Sequence, residues 1–196
     1  IVLSDLSLCD NNGYRLGYID SIWTDIGRFN LNQNVLDLDR LAIFGVRTEY
    51  IVNADSTTNF DLFLGHVYHQ DTTVFEKVID TVASAIEEVQ ERKTFVVGIK
   101  ELRMDKINLE YQDHTLPDPF IYEVSDISIK SNHFTLTGDN AVHLEAKLNN
   151  VGRLRMQWQG DVHGLENHNL ILMLSNVKLS DFSPYVQQMF GYPLEN

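Results

Sequence analysis

The sequence predicts a mainly β fold of the α+β class: a curved antiparallel meander sheet with one amphipathic helix packed against it. Three observations predict it. Apolar and polar residues alternate at period two over much of 1–60 and 95–179, which gives a strand one buried and one wet face. Short turns rich in Asn, Asp and Gly separate those stretches, so neighbours must be antiparallel, because a parallel crossover needs about a dozen residues or more. One stretch, 73–92, switches to helical spacing.

The clearest strands lie at 127–137, 141–148, 153–163 and 169–179. Val142, Leu144, Ala146 and Leu148 alternate with polar neighbours, and Leu154, Met156, Trp158 and Val162 alternate with Arg153, Arg155, Gln157 and Asp161. Turns fall at Gly138 to Asn140, at Asn149 to Gly152 and at Gly164 to His168. At the amino end, Leu6 and Leu8 lead into a turn at Asp10 to Gly13. A stretch from Tyr14 to Trp23, a short one through Phe29 and Leu31, and a turn at Asn32 to Asn34 follow. Over 35–52 the apolar phase slips, from Leu36 and Leu38 to Leu41 and Ile43. Over 95–111 it slips twice, at Leu102 and again at Ile107. Such slips predict β-bulges or sharp bends.

Between these stretches, Thr73 and Glu76 form a capping-box pair. Val74, Val78, Val82, Ile86 and Val89 make an apolar stripe, and Arg92 and Lys93 close the helix with charge that suits its carboxyl end. Its acidic polar face fits a helix lying on the sheet better than one lying on a membrane. The whole chain, 1–196, reads as one β-rich domain: amino-terminal strands over 1–60, the helix, the meander over 95–179, and the start of a further unit over 180–196.

A chain of 196 residues with 43% apolar side chains can bury roughly 70% of its unfolded surface, so it needs no metal or disulfide staple. A formal charge of −13 argues against nucleic acid and against docking on anionic headgroups. Cys9 has no cysteine to pair with. The chain begins at Ile1 without a signal-like stretch, so it is expected to be part of a longer protein with any anchor upstream.

No constellation predicts catalysis, a metal or a cofactor. His66 and His69 have a ligand-like spacing but lack a third partner nearby, and Asp71 serves a helix start. Asp161 and His163 share a strand face without a nucleophile, and Ser175 to Lys178 matches a Ser-x-x-Lys pattern inside a strand, without the companion motifs. The strand through Leu170, Ile171, Leu172, Met173 and Leu174 is apolar on both faces. It is either doubly covered or turns one face toward a bound acyl chain. Val142, Leu144, Leu154, Met156, Trp158, Leu170, Leu172 and Leu174 are the candidate apolar groove.

Ser180-Asp181-Phe182-Ser183-Pro184-Tyr185, followed by Phe190-Gly191-Tyr192-Pro193-Leu194-Glu195, resembles a recurring element of the AsmA-like family of Gram-negative envelope proteins. The order of Leu6 to Leu8, the strand through Leu41 and Ile43, Asn59-Phe60, and Leu109 to Asp113 before Pro117 resembles the same family. The helix at 73–92 has no counterpart in that pattern. The resemblance implies a periplasmic segment on an upstream inner-membrane anchor, groove-shaped sheets, and a non-enzymatic part in envelope maintenance and lipid transfer. Its partners would be phospholipid acyl chains and the rest of the same polypeptide. A sheet edge prone to edge-to-edge self-pairing is also expected. The alternative is an extracellular β-sandwich module that grips carbohydrate or protein through Tyr14, Tyr18 and Trp23.

Overall fold

The computed structural model describes residues 1–10, 13–61, 96–136, 138–162 and 168–193. Among these residues ten strands form one open sheet: β1 (Val2–Cys9), β2 (Arg15–Asn30), β3 (Val35–Val52), β4 (Val96–Ile99), β5 (Leu102–Asp113), β6 (Phe120–Ser131), β7 (Phe134–Thr135), β8 (Asp139–Leu148), β9 (Gly152–Asp161) and β10 (Asn169–Ser175). The main path runs β1-β2-β3-β5-β6-β8-β9-β10, with β4 beside β3 and β7 beside β4. The mainly β class and the meander are as the alternation requires, and that the sheet stays open is a finding of the structure. The helix expected over 73–92 lies outside the described residues, as do His66, His69 and His163.

One junction departs from the antiparallel rule. β3 pairs with both β4 and β5 in parallel, so the sheet is mixed. The stretch 53–95 supplies the length that a parallel return demands. Every other pairing among the described strands is antiparallel.

Several expected boundaries move for local reasons. The two stretches foreseen between Tyr14 and Leu31 fuse into β2, with register shifts flanking Ile26. The segment 95–111 breaks at Lys100-Glu101 into β4 and β5. There Leu41 donates its amide to the Glu101 carbonyl at 2.8 Å, and Lys100 donates its own to Leu38 at 2.9 Å. The strand expected to start at 127 begins at Phe120, and the one expected to reach 179 stops at Ser175.

The phase slips are real bends. Asp5, Gly45, Lys106 and Asp126 all have positive φ and fall at neighbouring levels of β1, β3, β5 and β6, where the pairing skips or shifts. At Asp5 and Gly45 the kink leaves the register with the neighbouring strands unchanged, whereas around Lys106 and Asp126 the register shifts, and the added residue bends and twists its strand. At Gly45 the reason for glycine is plain: φ is +70°, and a Cβ there would lie 1.9 Å from Asp20 Oδ2. Both left-handed aspartates among the described residues have partners, Tyr18 Oη at 2.6 Å from Asp5 and Lys147 Nζ at 2.6 Å from Asp126.

Residues 180–193, within the run expected to open a further unit, fold back on the sheet. Leu179–Phe182 forms a 3-10 turn and Ser183–Phe190 forms a helix, here α1. Pro184 sits in its first turn, where a missing N–H costs nothing. Gly191, with φ of 81°, ends it and donates to the Gln187 carbonyl. α1 and the turn set Phe182 and Tyr185 onto a cluster of Leu116, Phe120, Tyr122 and Leu148.

Candidate functional site

A single apolar row crosses the whole sheet. Leu3 pairs with Ile22, Ile22 with Ile43, Ile43 with Met104, Met104 with Ile129, Ile129 with Leu144, Leu144 with Met156, and Met156 with Leu172. Directly opposed residues share a face, so all eight point to one side.

All eight predicted groove residues lie on that face. Val142 pairs with Trp158 and Trp158 with Leu170; Leu144 and Leu172 both pair with Met156; Leu154 pairs with Leu174. Uninterrupted alternation along β8, β9 and β10 keeps the three rows on one side. The sequence did not show that the face continues through Ile129, Met104, Ile43 and Ile22 to Leu3. The signal was there, since each of those residues sits in a period-two stretch. Which strands would be neighbours was missing.

The opposite face is mostly polar. Across from β5 to β9 one of its rows reads Arg103, Lys130, His143 and Gln157. Ion pairs decorate it, among them Arg47 with Asp20 at 2.7 Å, Arg155 with Glu145 at 3.3 Å, and Arg103 with Asp105.

No second layer of described residues covers the apolar face. Ile22, Ile43, Met104, Ile129, Leu144 and Met156 are half-buried, and Leu3 and Leu172 at the row's ends are 49% and 53% exposed. The buried apolar residues gather toward the strand ends instead. Leu38 and Ile99 are at one margin, and Leu16, Val52, Leu116, Phe120, Tyr122 and Leu148 at the other.

The second margin is a wall of rings. Tyr50, Tyr111 and Tyr122 are directly opposed on β3, β5 and β6. Tyr50 stacks on Tyr111 at 6.0 Å and on Phe60 at 5.8 Å, and Tyr185 of α1 meets Phe120 edge-on at 4.8 Å. Tyr185 Oη donates to Asp113 Oδ2 at 2.7 Å, and Asp113 Oδ1 also accepts the Thr115 amide and hydroxyl at 2.9 and 2.6 Å. Burial pushes the Asp113 carboxyl up, but these hydrogen bonds outweigh it and hold the group below the usual carboxylate value. Burial, with the Tyr111 and Asp113 contacts, pushes the Tyr185 phenol well above its ordinary value. Each group is satisfied by a structural partner, so the pair fastens α1 to the sheet.

Other candidates are not brought together. Cys9 is exposed. Asp161 is opposite Asp139 in the ladder, while Ser175 ends β10 and Lys178 lies beyond it. Among the described residues no group of three His, Cys, Asp or Glu side chains is placed to hold a metal ion, and no helix is long and apolar enough to cross a membrane. Tyr14 and Trp23 are exposed, but Tyr18 is engaged by Asp5 and by Arg47, whose guanidinium lies 4.8 Å from its ring. The described strands form one sheet, so a sandwich with a facing second sheet is not seen among them.

No protein-family model matches the chain, and no curated protein matches it in sequence.

Proposed function

We propose that this chain is a non-enzymatic, lipid-handling segment of an envelope protein resembling the AsmA-like family. In this reading it stands on the periplasmic side of the inner membrane, on an anchor elsewhere in the polypeptide. It contributes to envelope maintenance by giving phospholipid acyl chains an apolar path between membranes.

The observation that carries the reading is the row from Leu3 to Leu172, which no second layer of described residues covers. Eight strands at a spacing of about 4.8 Å make the row about 34 Å long. That is more than the ~15 Å that one leaflet's chains occupy in a bilayer core ~30 Å thick. Every acyl methylene that leaves water on such a face contributes about 0.8 kcal/mol. A face of this kind calls for an occupant, and flexible hydrocarbon chains conform to it without needing matched hydrogen bonds.

The test is native mass spectrometry of the purified chain, with lipid extraction and identification. Phospholipid is expected to co-purify, and Leu144→Glu with Met156→Glu is expected to empty the protein while leaving its circular dichroism unchanged. A wild-type chain that carries no lipid and takes up none from phospholipid vesicles defeats the proposal.

A further inference from the structure

The two outer strands of the sheet are not alike. β1 carries a charge and a left-handed residue near its middle, Asp5 with φ of 57°, and both features blunt an edge against further pairing. β10 has neither. Its seven residues, Asn169–Ser175, are uncharged, contain no proline and pair with β9 without one register shift. All seven are exposed, the five apolar ones between 46% and 57%.

The wet face supplies the second observation. Beside Ile171 and Met173 the ladder places Gln157 and Arg155, and beyond them His143 and Glu145. Ile171 and Met173 are therefore apolar on the side where their neighbours are polar. Acyl chains on the other face do not account for them, because they point away from it. A partner strand that lies alongside β10 and is apolar at the same two levels does.

We propose that two copies of this chain pair antiparallel through β10, about a two-fold axis at Leu172. That register sets Leu172 against its own copy, Ile171 against Met173, Leu170 against Leu174, and Asn169 against Ser175. Apolar meets apolar on both faces, polar meets polar at the ends, and no charge is directly opposed. A two-fold contact must be self-complementary in this way, and β10 is. Pairing β10 with β1 of another copy matches less well, since on the wet face of β1 Val2 is followed by Ser4 and, past the left-handed Asp5, by Ser7, so at most one of Ile171 and Met173 meets an apolar residue. The dimer continues the sheet, so the row ending at Leu172 runs on into its copy. The inference stands on the edge itself and does not need lipid on the apolar face.

The opposing term is net charge, −13 on each copy. At physiological salt it is screened over about 8 Å, so added salt is expected to strengthen the dimer. Sedimentation equilibrium of the 196-residue chain is expected to show a reversible monomer–dimer equilibrium. Met173→Lys is expected to abolish it while leaving circular dichroism and the unfolding midpoint intact, even though it lowers the net negative charge. In a Cys9→Ser background, Leu172→Cys is expected to form a covalent dimer under mild oxidation, because opposed Cβ atoms lie within disulfide reach. Ile171→Cys alone is not, but Ile171→Cys mixed with Met173→Cys is. A monomer at all concentrations, a Met173→Lys dimer as tight as wild type, or cross-linking through Leu3→Cys instead of Leu172→Cys each overturns the proposal.

Discussion

The hydroxyl of Tyr185 reaches the Oδ2 of Asp113 at 2.7 Å and ties α1 to the end of β5 across the aromatic wall. The carboxylate is 6% exposed and has three donors, so this contact governs how firmly α1 covers its margin of the apolar face.

Tyr185→Phe keeps the ring packing on Phe120 but removes one donor from a buried carboxylate. The expected cost is about 1–3 kcal/mol, read from the midpoint of urea unfolding. An unchanged midpoint shows that α1 is held by its rings alone.

The acid limb of stability follows from the same pair. Asp113 titrates below its unfolded value of about 3.9. Its contribution is therefore fully present above that pH and is lost as pH falls through the lower folded value. Thermal scans are expected to show a steep loss below about pH 4, and a shallower one in Asp113→Asn. Parallel profiles for the two proteins contradict this.

At the alkaline end the sign reverses. Tyr185 holds its proton in the folded state beyond the unfolded phenol value of about 10, so its contribution is present below that pH and is lost as pH rises through the folded value. Wild type is expected to lose stability faster than Tyr185→Phe above about pH 10.

Truncation separates the covered margin from the open face. Leu148→Ala, in the buried cluster, is expected to cost about 2–5 kcal/mol. Leu174→Ala, on the open face and 56% exposed, is expected to cost under about 1 kcal/mol. Equal costs in guanidinium titrations show that something covers the face in solution.

Gly45→Ala strains a left-handed backbone by roughly 1–2 kcal/mol and drives Cβ into the Asp20 carboxylate, which also pairs with Arg47. The expected result is a lowered unfolding midpoint, with Gly13→Ala, where a Cβ meets nothing within 4 Å, less affected.

Alternation along the chain placed most of the strands and all eight groove residues on their shared face, because side-chain direction in a strand is a local property with a period of two. The phase slips at Leu38 to Leu41 and Met104 to Ile107 located real bulges for the same reason: an added residue leaves its mark on its own strand. Turn chemistry was legible too, as at Asn149 and Asn150, whose φ values of 42° and 65° suit asparagine. Pairing order was not legible. That β5 lies parallel beside β3, that Met104 meets Ile43, and that Phe182 and Tyr185 return to Phe120 and Tyr122 are contacts between residues far apart in the chain. They are chosen by the total apolar surface buried, which no local pattern encodes. The sequence by itself therefore determined the strands, their bends and the side each residue faces. Only the tertiary structure decided that those sides join into one row across the sheet, and that among the described residues α1 covers one margin of it.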